Sequence, residues 1–235
     1  MTARAREPGI PLPGRYAALL AKSHFAPLPE AHGERTKLPP QSARLSVRAG
    51  GNSEIFAGSY RAAAKTSFAA GVSGRVRTLD SLFDALPDDT QMARQFPKLL
   101  RKSGNVTERV LSEKRNVNVQ AWIYWVRPES DRDFHVILGS TPQLTTTTVF
   151  MNSEVSGLPA AHPTKSPFPA RRSDIRTILA SHRNENGLFR EPVEVRVTGS
   201  LLWDGEHRAP NNVGPRELRP SKAWEIHPIR QIVAR

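Results

Sequence analysis

Three short acid–histidine pairs offer the clearest chemistry in this chain: Asp133-x-His135, Asp204-x-x-His207 and Glu225-x-His227. On a strand, residues i and i+2 share a face, so Asp133 points with His135 and Glu225 with His227. Imidazole and carboxylate together suit zinc, manganese or iron. They also suit general acid–base work, where the carboxylate sets the tautomer of a histidine and raises its basicity. Asp133, His135, Asp204, His207 and His227 are therefore candidate ligands for a divalent metal. His135, Glu225 and His227 are candidate catalytic groups. The plain alternative is a structural hydrogen-bond network, because no H-x-H or H-E-x-x-H spacing is present.

Composition removes several other chemistries. The absence of cysteine excludes disulfides, thiolate metal sites and a cysteine nucleophile. Ala49-Gly50-Gly51 and Gly139 match no phosphate-binding glycine loop, and Gly58-Ser59 and Gly199-Ser200 lack the G-x-S-x-G frame. No apolar run is long enough for a membrane span, so the expectation is a cytoplasmic protein without a membrane partner.

Charge points elsewhere. With 34 Lys+Arg against 22 Asp+Glu the chain carries a formal +12. Such an excess favours a polyanionic partner, nucleic acid or a nucleoprotein assembly. Trp122 and Tyr124, alternating with Asn118 and Gln120, are the candidates for stacking bases, and Arg171, Arg172 and Arg176 for holding phosphate. Trp125 and Trp224 read as core.

The elements that must position these residues follow from periodicity. Thr78 caps a helix in which Leu79, Leu82, Phe83 and Leu86 form one stripe, ended by Pro87. Asp88-Asp89-Thr90 starts a second turn through Met92 and Phe96. Strands are expected over 117–126, 133–139, 145–155, 193–204 and 223–232, with Gly199 kinking the fourth. A helix over 173–182, capped by Ser173, falls between the third and fourth. In the last strand Trp224 and Ile226 take the interior, which leaves Glu225 and His227 facing outward or into a rim cleft. Strand–strand–strand–helix–strand–strand is the connectivity of a five-stranded OB-like barrel. The runner-up is a small α+β sandwich.

The string Asp131-Arg132-Asp133-Phe134-His135-Val136-Ile137-Leu138, the strand ending at Glu154 and the closing Trp224-Glu225-Ile226-His227-Pro228-Ile229 resemble a group of small uncharacterised bacterial proteins. That group has an acid-x-His strand, a strand ending in Glu and a final Glu-x-His-Pro strand. The resemblance covers 117–232 and implies a shared barrel, not a reaction. The group places a proline two residues after the strand-ending Glu. Here Val155-Ser156-Gly157-Leu158-Pro159 follows, which weakens the expectation for Glu154.

Residues 1–75 hold 11 Lys+Arg, 4 acids and many early prolines. They read as a basic, largely disordered arm, able to dock on a protein partner. Residues 76–104 follow as a short helical segment and 105–235 as the barrel. The function expected first is nucleic-acid or nucleoprotein binding. The alternatives are a metal-assisted, nuclease-like hydrolase built on the acid–histidine cluster, and an assembly subunit held by its arm.

Overall fold

The computed structural model describes residues 54–100, 107–161 and 165–235, together with Ala18. Five strands close a barrel: β2 (Asn116–Pro128), β3 (Phe134–Gly139), β4 (Phe150–Val155), β6 (Leu188–Trp203) and β7 (Trp224–Ala234). They neighbour one another in the order β2-β3-β4-β7-β6, and β6 pairs back onto β2. Only β4 and β7 run parallel within this ring. With α4 (Phe168–Ser181) between β4 and β6, this is the OB-like barrel expected from the sequence. Two-residue strands extend it, β1 (Arg77–Thr78) beside β2 and β5 (Asn184–Glu185) beside β6. Short helices α1 (Ala62–Lys65), α2 (Leu79–Asp84) and α3 (Asp89–Gln95) precede the ring. No helix among the described residues is long and apolar enough to cross a membrane.

Alternation fills the interior as anticipated. Val119, Ala121 and Ile123 of β2 join Val195, Val197 and Leu201 of β6 and Ile226 and Ile229 of β7 in one core, with Ile175 and Ile178 of α4 and Leu79, Leu82 and Met92 below. Thr78 caps α2, and Asp88 with Gln91 forms a reciprocal capping box on α3. Register slips at Gly199, where β6 bends.

Three elements depart from expectation. A bulge between Ile123 and Trp125 breaks the alternation of β2. Val126 therefore turns into the barrel, while Tyr124 and Trp125 enter a second cluster with Ile137, Leu144, Phe150, Leu188 and Leu218. The third strand begins at Phe150 rather than Thr145, because the Thr148 hydroxyl takes the Thr145 N–H at 2.8 Å and holds the threonines in a turn. The helix begins at Phe168, not at a Ser173 cap, since prolines are tolerated in a first helical turn.

The largest difference lies in residues 54–75. Residues 1–53, apart from Ala18, lie outside the described residues, but residues 54–69 of the expected arm pack on the barrel. Ile55 bridges to Leu158, Phe68 stacks on Phe168, and Ala64 and Ala69 are buried. Arg61 and Lys65 are buried too, each facing a buried acid: Arg61 grips Glu113 at 2.6 Å and Lys65 meets Asp204 at 3.1 Å. Their partners are remote in sequence, so a count of charges reads them as solvated.

One turn sets the β5–β6 hairpin against the bulge. Gly187 has φ +81°, and a Cβ there would stand 1.7 Å from the Val126 carbonyl oxygen. Gly187→Ala is expected to destabilise the fold by at least about 1–3 kcal/mol, as clash adds to left-handed strain. An unchanged urea midpoint would contradict this.

Candidate metal centre

The side chains singled out by type converge at one end of the barrel, beside the β2–β3 turn and the long β6–β7 connection. Ligands of OB-like barrels bind at the corresponding loops. Register does the positioning. His135 on β3 stands opposite Glu154 on β4, and Asn152 on β4 stands opposite Glu225 on β7. His135 Nε2 lies 2.9 Å from Glu154 Oε1. His207, in the β6–β7 connection, places Nδ1 2.9 Å from Glu225 Oε1. Asn152 Nδ2 donates to both carboxylates, at 2.8 Å to Glu154 Oε1 and 2.9 Å to Glu225 Oε1. The His135 and His207 rings meet edge to face with centroids 5.7 Å apart.

Behind this pair lies a deeper layer. His227 is wholly buried, its Nδ1 hydrogen-bonded to Glu225 Oε2 at 3.4 Å and its Nε2 to Ser156 Oγ at 2.9 Å. The Ser156 hydroxyl donates its only proton to the Lys65 carbonyl at 2.5 Å. Nε2 must then donate to Ser156, and Nδ1 must donate to a carboxylate, so the ring is an imidazolium. Asp133 Oδ1 takes the Gly157 N–H at 2.6 Å. Asp133 precedes β3, yet its second oxygen still lies 3.5 Å from His227.

Electrostatics agree with that proton count. Burial alone disfavours a charged His227, but Glu154, Glu225 and Asp133 outweigh it and raise the ring to about 9. His207 is likewise raised to about 9, burial being overcome by Glu225 and Asp204. His135 is raised by Glu154 against the pull of burial. Burial and Glu154 push Glu225 upward, but hydrogen bonds from His207 and His227 hold it at about 2. Glu154 falls well below the usual carboxylate range despite burial, through His135, His227 and Lys65. Asp133 is raised well above it, chiefly by burial.

Among the described residues two groups have donor atoms close enough to share an ion: Asp133, Glu154 and His227, and Glu154, His207 and Glu225, each within 4.8 Å. In the deep group both His227 nitrogens are already engaged, Nδ1 between Glu154 Oε2 at 3.0 Å and Glu225 Oε2 at 3.4 Å, and Nε2 on Ser156 with Asp133 Oδ2 at 3.5 Å. In the outer group the buried Glu154 and Glu225 stand behind His207, which lines the cleft, with His135 Nε2 beside Glu154. Two nitrogens and two oxygens make a donor set for zinc, manganese or iron, and tetrahedral zinc would bring them to roughly 3.3 Å from one another.

The cluster thus gathers Asp133, His135, His207, Glu225 and His227. Asp204 joins through Lys65 and lies 3.7 Å from His207. Glu225 and His227 are buried, not on an outward rim, because residues 54–70 and the β6–β7 connection cover them. Sequence reasoning gave Glu154 too little weight and missed Asn152, Ser156 and Lys65. The run Ala62-Ala63-Ala64 beside Lys65 was the one local sign that this stretch packs.

The residues expected to bind nucleic acid are elsewhere and engaged. Tyr124 is fully buried, its hydroxyl on the Thr141 carbonyl at 2.9 Å and its ring against Phe150, so it offers no face to a base. Trp122 is half-buried against the second cluster. Arg172 is buried over the Phe134 ring and donates to the Arg132 carbonyl at 2.6 Å. Arg176 is bound to Glu54, and Arg171 to Asp174 at 3.0 Å. Helix α4 spends these cations on the protein itself.

The raised histidines fix a pH signature. A group whose folded pKa lies above its unfolded value stabilises most below the unfolded value and stops as pH passes the folded one. Metal-free protein should therefore lose stability between about pH 6.5 and 9 as His207 and His227 discharge. Metal affinity should move oppositely, rising about tenfold per pH unit for each proton displaced. Melting curves with and without zinc across this window check both signs. No protein-family model, curated protein or solved structure matches this chain.

Proposed function

We propose that this protein is a metal-assisted hydrolase whose divalent ion is held by His135, Glu154, His207 and Glu225. The observation that supports it is the convergence, from three strands and a loop, of two imidazoles that line the cleft and two buried carboxylates directly behind them. A divalent ion held there would supply a Lewis acid able to activate water near neutral pH. The chain's own residues do the rest. Asn152 locks the two carboxylates side by side, and the His227 imidazolium anchors Glu225 from behind. Lys65 offsets the remaining negative charge next to Asp204. Kinship with the bacterial group that carries an acid-x-His strand and a Glu-x-His-Pro strand belongs to the same proposal, because its motif residues are the ones that converge.

The OB-like barrel is also compatible with nucleic-acid binding, but the geometry favours the metal reading. Titration of chelator-stripped protein with zinc or manganese tests it. One equivalent per chain should bind, and His207→Ala should lose it. The absence of saturable binding by either ion would end the proposal.

A further inference from the structure

A basic protein with an acidic cleft is an unusual pairing, and the cleft here is acidic. Two cavities meet at His135 and His207, one of about 310 Å³ and one of about 1130 Å³. Among the described residues the smaller is lined by Glu129, Asp131, Asp204 and Glu206 against a single ammonium, Lys65, already paired with Asp204. Even with both imidazoles charged, the carboxylates remain in excess. A metal ion would not reverse this, since Glu154 and Glu225 meet its charge. The larger cavity adds Glu185, and its one arginine, Arg127, lies 3.7 Å from Glu129. Low-dielectric walls concentrate such a local field whatever the net charge of the whole molecule.

A second observation points to a ligand. His135 is only 8% exposed, yet it lines both cavities, and its Nδ1 makes no hydrogen bond among the described residues, Glu129 Oε1 standing beyond reach at 3.7 Å. With Nε2 on a metal, Nδ1 carries the proton and becomes a buried donor in need of an acceptor. A peptide carbonyl provides one. Polyanions are disfavoured here: each phosphate would meet carboxylates rather than arginines.

We infer that the cleft takes a peptide segment bearing lysine or arginine side chains, a cationic amide substrate and not a phosphodiester. The cationic groups face Glu129, Asp131 and Glu206, while a backbone carbonyl accepts from His135. This rests on the metal-site reading for where a bond would be cut, but binding is readable without turnover.

Calorimetry on the zinc-loaded full chain tests it with three probes: a blocked octapeptide of alternating Gly and Arg, its Gly-Ser counterpart, and octathymidylate. The Arg peptide should bind at least tenfold more tightly than the Ser peptide, and added salt should weaken it. The pair Glu129→Gln and Glu206→Gln, neither in the metal set, should erase that preference while leaving zinc stoichiometry unchanged. Equal binding of the two peptides would overturn the inference, as would octathymidylate displacing the Arg peptide, and the hydrolase proposal would still stand. Conversely, a preference for the Arg peptide in protein that binds no zinc would retain the cleft's selectivity and remove the hydrolase.

Discussion

Glu154→Gln is expected to abolish metal binding and to lower any hydrolytic rate by at least about 10²-fold, since even outer partners of metal ligands cost 10–100-fold. The substitution is nearly isosteric, but it removes the charge that faces His135 at 2.9 Å and His227 at 3.0 Å. Those two rings and Lys65 then face a weaker negative field, and both histidines should titrate at lower pH. Zinc content by mass spectrometry and histidine titration by NMR give readouts independent of turnover. A variant that retains one zinc with wild-type affinity would show that Glu154 is not a ligand.

Arg61→Met is expected to cost about 3–5 kcal/mol, the typical loss when one member of a buried ion pair is removed. Glu113 is wholly buried and takes four donors: Arg61 Nη1 and Nη2 at 2.6 Å each, the Trp203 N–H and the Val110 N–H at 2.8 Å. Arg61 also caps the Trp203 and Glu108 carbonyls and sits in the left-handed region at φ 52°. That conformation persists only because these contacts over-determine it. For a chain of this size the melting temperature should fall on the order of 10 °C. Arg61→Met combined with Glu113→Leu should be less damaging than the sum of the two, because it leaves no charge stranded. A chain beginning at residue 76, which lacks both Arg61 and Lys65, should be worse than either.

Much of this arrangement was legible in the sequence. Period-two alternation located the strands, and the helix between the third and fourth fixed the topology. The Glu225-x-His227 pair marked the site because strand spacing keeps such residues on one face. What escaped has a common physical origin. The bulge at Tyr124 is a cross-strand property, set where β2 meets both β3 and β6, and no local pattern announces it. Lys65 and Arg61 read as solvated because their partners, Asp204 and Glu113, are far along the chain. Glu154 was discounted for a missing proline, whose place is taken by Ser156 with its hydroxyl 2.9 Å from His227 Nε2.

The register pairs that build the site also decide when it can exist. Asn152 and Glu225 are 73 residues apart and meet only across the parallel β4–β7 pairing, whereas His207 and Glu225 are 18 apart. Bringing distant strands together costs loop-closure entropy before any contact repays it, so such pairings form late in folding. The ligand set is therefore complete only once the barrel has closed, and an ion has nothing complete to grasp beforehand. Metal would act on the lifetime of the finished fold, slowing its opening, rather than on the speed at which the chain finds it.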